Sequence, residues 1–153
     1  MPNPSPPIAS GDTRSRQACF DVPDRLEAIG EARRFVRQAL ARWRLADITD
    51  DVALIVTELI TNSLAYGKEP IRLTLRADGR AVRGEVSDHG SALPTLMPAD
   101  LYNEHGRGLI LVNAYADRWG IDPAASGKTV WFVRRAAAAT EELHPAPDRT
   151  FAW

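Results

Sequence analysis

The chain has 153 residues, 44% of them hydrophobic and 25% charged, and a formal net charge of −1. That is enough for one domain with a buried core, and it lacks the basic excess that a nucleic-acid or anionic-membrane partner would favour. No apolar run reaches bilayer-spanning length, no charged-then-apolar leader opens the chain, and the lone Cys19 has no internal disulfide partner, which together suit a reducing cytoplasm.

Residues 1–16 are rich in Pro, Ser and Gly with almost nothing to bury, so disorder is expected there. The folded domain is expected over residues 17–135, followed by a tail, 136–153, that is helical at most through Leu143 before Pro145 and Pro147 break it. A short first strand reads at residues 17–20. Pro23 and Asp24 then punctuate the start of a helix over residues 25–43, with Leu26, Ile29, Val36 and Leu40 at helical spacing. A second helix runs from about residue 47, with Thr49 or Asp50 available as its cap. Its apolar stripe is Val52, Ile55, Val56, Leu59, Ile60, Ser63 and Leu64, and Gly67 stops it.

Residues 71–77 alternate apolar and polar, turn at Asp78-Gly79 and continue over 81–88, which is a β-hairpin signature. A loop rich in Gly, Pro and Ser covers residues 89–105. A third helix, 106–116, opens on two glycines, and two strands at 117–122 and 128–135 close the domain around a turn at Gly127. Runs of helices and runs of strands predict an α+β two-layer sandwich: a mixed, mainly antiparallel sheet covered on one face by three helices.

Four features have spacings that could carry chemistry. Glu58 and Asn62 lie one helical turn apart, either on a solvated face or facing something that needs a carboxylate and an amide together. Asp88 ends a strand and is followed by Gly90, which alone describes a turn. The stretch His105-Gly106-Arg107-Gly108-Leu109 puts glycines at a helix start, where free N–H groups and the helix dipole favour an anion. Gly127, Lys128 and Thr129 precede the last strand and alone read as a hairpin turn. His89 and His105 have no companions at metal-ligand spacing and read as polar loop residues.

Taken in order, "ELITNSLAYG", "DHG", "HGRGL" and "GKTVWF" resemble the N box and glycine boxes of the GHKL ATPase superfamily over nearly all of residues 20–135. The resemblance is nearest to the small bacterial anti-sigma-factor serine kinases. It implies a histidine-kinase-like ATPase fold that binds ATP and Mg²⁺. Asn62 would ligate the Mg²⁺, a hard ion suited to amide and phosphate oxygens. Glu58 would be the general base toward the attacking hydroxyl. Asp88 would accept a hydrogen bond from the adenine amino group, Gly90 would let the backbone approach the base, and Thr129 would support the adenine end. Gly106, Gly108 and Leu109 belong to the box at the phosphates, where Arg107 either adds a charge-assisted contact or faces solvent. Residues 95–105 would form a lid. Where many members place a further glycine, this chain has Ser91, Ala92 and Leu93, so weaker nucleotide binding or a less mobile lid is expected.

Three functions follow from the resemblance. One is a serine/threonine kinase that binds a sigma factor, phosphorylates an antagonist protein and works as a homodimer. The second is a non-catalytic ATP-binding interaction module. The third, a histidine-kinase catalytic domain, is disfavoured because residues 1–46 hold one helix where a helical-hairpin module needs two. Retention of Glu58 favours the kinase, since binding alone requires no base.

Overall fold

The computed structural model describes residues 16–90 and 104–137, with side chains for 16–90 and 109–137. The expected N-terminal disorder, the tail helix through Leu143 and the lid up to residue 103 lie outside the described residues.

Five strands and three helices follow in the order β1 (Gln17–Val22), α1 (Glu27–Arg42), α2 (Thr49–Tyr66), β2 (Ile71–Asp78), β3 (Ala81–Asp88), α3 (Glu104–Tyr115), β4 (Arg118–Ala124) and β5 (Gly127–Arg135). A single turn of 3-10 helix, Ala46–Ile48, leads into α2. The strands form one sheet in the order β1-β2-β3-β5-β4, antiparallel throughout. The expected α+β sandwich is therefore the observed one.

Alternation along the strands sets which face is covered. Ile71, Leu73, Leu75 and Ala77 of β2, Val82 and Val86 of β3, and Val130 and Phe132 of β5 are all buried on the helix side. The helices return Ala32, Val36, Ala39 and Leu40 from α1, and Val52, Ile55, Val56, Leu59 and Ile60 from α2, to the same core. Phe132 is fully buried, and its ring covers Gly84, the residue it opposes across β3–β5; a Cβ at Gly84 would stand 2.2 Å from that ring. β4 lies at the sheet edge, where Pro123 leaves no inner ladder bond unmade.

Two features of the helices differ from expectation. Neither Thr49 nor Asp50 caps α2. Its N-cap is Ile48, without a side-chain cap bond, because the 3-10 turn already feeds the chain into helical geometry. Gly67 does end α2, but in an extended conformation with φ −91° rather than a left-handed one. Its need for glycine comes from what lies beside it.

Candidate functional site

At the end of the β3–β5 ladder, Asp88 pairs in register with Lys128, both on the buried face. The Asp88 side chain is 1% exposed and that of Lys128 6%. Oδ1 of Asp88 accepts from the Gly90 N–H at 2.8 Å and from Lys128 Nζ at 3.0 Å. Oδ2 accepts from the Ser63 hydroxyl at 3.0 Å and lies 2.9 Å from Lys128 Nζ in an ion pair. A bare buried carboxylate would cost several kcal/mol, and these donors offset that cost.

Three glycines make room for this group. A Cβ at Gly67 would fall 2.6 Å from Asp88 Cγ and Oδ2 and 2.7 Å from the Ser63 carbonyl oxygen. One at Gly90 would meet the Gly67 Cα at 2.9 Å and Asp88 Oδ1 at 3.1 Å. At Gly127, whose φ is +148°, it would stand 2.0 Å from the Asp88 carbonyl oxygen. The end of α2, the end of β3 and the start of β5 therefore meet as backbone on backbone. The His89 N–H donates to the Lys68 carbonyl at 2.8 Å and ties the segment after α2 to the end of β3.

Along α2 the other polar residues extend from this cluster. Asn62 adjoins Ser63, and Glu58 lies one turn before Asn62. Both are half-buried, and neither has a hydrogen-bond partner among the described residues. From Ser63 back to Glu58 is about 7.5 Å along the helix axis. The neighbouring Thr57 is by contrast tied down, donating to the Ala53 carbonyl at 2.8 Å and accepting from Arg33 Nε at 3.1 Å.

The third helix begins at Glu104, two residues earlier than the glycines suggested. Gly106 consequently sits in its first turn and Gly108 in its second; an acidic residue at the first position suits the positive end of the helix. Leu109 is buried at 2% exposure, so in this structure its side chain belongs to the core. The side chains of His105 and Arg107 lie outside the described residues.

Thr129 is the residue that the structure separates from the rest. It opposes Ser87 in the β3–β5 ladder, one position from the Asp88–Lys128 pair, and strand alternation turns it to the other face of the sheet. Lys128, and not Thr129, stands beside Asp88 on the buried face. Sequence reasoning missed Lys128, Ser63 and Gly67 as parts of this cluster. Only Lys128 had a readable signal: counting back by two from Phe132 and Val130 reaches it on the core face.

No group of three or more His, Cys, Asp or Glu side chains suited to a metal occurs among the described residues. The Asn62 amide still fits a Mg²⁺ bound chiefly through phosphate oxygens and water, because such an ion takes only one or two protein ligands.

The chain belongs to the histidine kinase-like ATPase domain family, whose model matches residues 22–134. ATP binding, commonly with Mg²⁺, is what that membership implies. Among solved structures, the RsbU and RsbW domains of Rv1364c from Mycobacterium tuberculosis align with a TM-score of 0.61 at 19% identity. The match covers 78% of this chain but only 32% of that one, and at this identity it is a likeness of fold. The histidine kinase domain of the Erythrobacter litoralis EL346 blue-light activated histidine kinase aligns with a TM-score of 0.46 at 14% identity, over 71% of this chain and 59% of that one. No curated protein sequence matches the chain.

Proposed function

We propose that this protein is an ATP-dependent serine/threonine kinase of the anti-sigma-factor type. In this reading it transfers the γ-phosphate to a hydroxyl of an antagonist protein and binds a sigma factor, working as a cytoplasmic homodimer. The observation that carries the reading is the pair Glu58 and Asn62. They are half-buried, one turn apart and without hydrogen-bond partners among the described residues, on the same helix whose Ser63 holds the buried Asp88. Such a pair, without side-chain partners among the described residues on a helix otherwise packed into the core, is what a ligand site requires.

The roles follow from position along α2. Asp88 receives the adenine amino group at one end of the site, with Gly90 and Gly67 allowing close approach. Asn62 lies toward the phosphates and supplies the amide oxygen for Mg²⁺, which when bound offsets negative charge on the phosphate oxygens. Glu58, one turn further on, accepts the proton of the attacking hydroxyl as its oxygen bonds to the γ-phosphorus. The bond from that phosphorus to the β–γ bridging oxygen breaks, and ADP departs with that oxygen. The backbone N–H groups in the first turn of α3, around Gly106, face phosphate well electrostatically, and Arg107 and Gly108 complete the same segment. Thr129, on the far face of the sheet, has no direct part in this scheme.

The choice of partner class rests on the motif resemblance, to which the Rv1364c structure adds a likeness of fold. Incubation with γ-labelled ATP, Mg²⁺ and antagonist-type proteins encoded nearby tests it. Label on a serine or threonine of one of them is expected, and none in a Glu58→Gln protein. ATP binding without any transfer would leave a non-catalytic ATP-dependent interaction module instead.

A further inference from the structure

We propose that Lys128 is a built-in competitor for the carboxylate of Asp88, one that weakens binding of a 6-amino purine and narrows its preference over a 6-oxo purine. The inference rests on the reading of Asp88 as the base-recognising group and adds a second residue to it.

A carboxylate offers about four acceptor positions. On Asp88 this chain crowds both oxygens: the Gly90 N–H and Lys128 donate to Oδ1, the Ser63 hydroxyl donates to Oδ2, and the Lys128 ammonium also lies 2.9 Å from Oδ2. An incoming amino group therefore binds only where one of these donors withdraws. The Gly90 N–H is backbone, fixed where Gly67 and Gly90 pack against each other. The Ser63 hydroxyl is a single donor on a buried helical position. Lys128 reaches both oxygens through a compact ammonium on a flexible stem, and its Cα lies at the start of β5, next to Gly127. It is the donor able to leave without disturbing backbone.

Leaving has a cost. An ammonium that is 94% buried beside its counter-charge must regain water or another acceptor, and the amino group of a base, being neutral, replaces only part of what Asp88 gives up. A 6-oxo base presents an acceptor at the same place. Lys128 donates to that oxygen while keeping Asp88, so the feature that handicaps the amino base tolerates the oxo base. Asp88 alone would discriminate strongly between them; Asp88 with Lys128 discriminates less.

The test is calorimetric titration of ATP and ITP, with Mg²⁺, into wild type, Lys128→Met and Asp88→Asn at about pH 8, where carboxylates stay ionised. Methionine keeps an unbranched stem of similar length and removes the donor. Lys128→Met is expected to bind ATP about tenfold more tightly, while ITP weakens or stays the same, so the ATP-to-ITP preference rises. An unchanged or lower preference overturns the proposal. If Asp88→Asn weakens ATP while Lys128→Met leaves the preference alone, Asp88 reads the base and only the competitor role of Lys128 fails. If Asp88→Asn leaves ATP binding intact, the base-reading assignment fails and this inference falls with it.

Wild type gives an independent readout, because the sequence has only two lysines, Lys68 and Lys128, and Lys68 is exposed. Amine acylation followed by mass spectrometry should find Lys128 protected relative to Lys68 without nucleotide and labelled faster with saturating ATP. Equal labelling of both lysines without nucleotide, or protection of Lys128 unchanged by ATP, contradicts the proposal even if Lys128→Met fails to fold.

Discussion

Adding one methyl group at Gly67 tests the Asp88 cluster without removing a polar atom. Gly67 has φ −91° and ψ −172°, a conformation open to any residue, so alanine there brings no backbone strain. What it brings is contact: 2.6 Å to Asp88 Cγ and Oδ2 and 2.7 Å to the Ser63 carbonyl oxygen. That carbonyl accepts the Gly67 N–H at 2.8 Å and belongs to the last turn of α2, so it cannot swing aside. Asp88 is held by Gly90, Ser63 and Lys128 and cannot move without loosening them. Overpacking of this kind costs ~1–3 kcal/mol, and each bond to the carboxylate that breaks adds a further ~1.5–3 kcal/mol. Gly67→Ala should therefore lower stability in urea unfolding by ~1–3 kcal/mol if the cluster only shifts, or by ~2.5–6 kcal/mol if one such bond is lost, and weaken ATP binding alongside. Gly30→Ala is the control: it lies within α1 with nothing within 4 Å of an added Cβ. It should stabilise by ~0.5–1 kcal/mol through helix propensity, with ATP binding unchanged. A Gly67→Ala protein as stable as wild type, binding ATP equally well, would refute the packing argument.

The two α2 residues should separate by role. Asn62→Ala should abolish Mg²⁺-dependent nucleotide affinity and transfer, whereas Glu58→Gln should keep ATP binding and slow transfer by ~10²–10⁴-fold; equal loss of binding in calorimetry would end that division. Glu69 is held above its ordinary carboxyl range chiefly by a hydrogen bond with Asp24, with burial and the charge of Asp24 adding to it. Because the folded state favours the protonated form, its contribution is full below the ordinary carboxyl pKa and lost as pH rises through the raised value. Thermal midpoints across the acid range should therefore fall less steeply with rising pH in Glu69→Gln than in wild type. Phe132→Ala should cost ~3–5 kcal/mol, since it empties the fully buried space above Gly84.

Much of the fold is legible in the order of residues because local physics decides it. The stripe from Val52 to Ser63 has helical spacing, and β2 from Ile71 to Asp78 and β3 from Ala81 to Asp88 alternate on either side of the two-residue turn Gly79-Arg80. The limits of elements are less legible where neighbours decide them. Glycines at 106 and 108 look like a helix start, yet Glu104 and His105 already extend the helix backward. The same holds for the site. Glu58 and Asn62 stand out as polar residues on an apolar helix, and Asp88 with Gly90 as a strand end. The partners of Asp88 come from 25 and 40 positions away, at Ser63 and Lys128, and such contacts exist only once the sheet is built. Thr129 and Lys128 differ by one position, and in a strand one position exchanges the faces. A motif quoted as a string does not show which of its letters points inward; the register of β5 against β3 does.

Asp88 is the residue on which the account depends most, and titration calorimetry of wild type and Asp88→Asn with Mg-ATP tests it most directly. Asparagine keeps the shape but turns one acceptor into a donor facing Lys128, and facing the amino group of the base. Measurable ATP binding by wild type is expected, with a loss of ~1–3 kcal/mol, about 5- to 150-fold in Kd, in a variant that remains folded by circular dichroism. Equal ATP affinity in the two proteins would contradict this reading of Asp88.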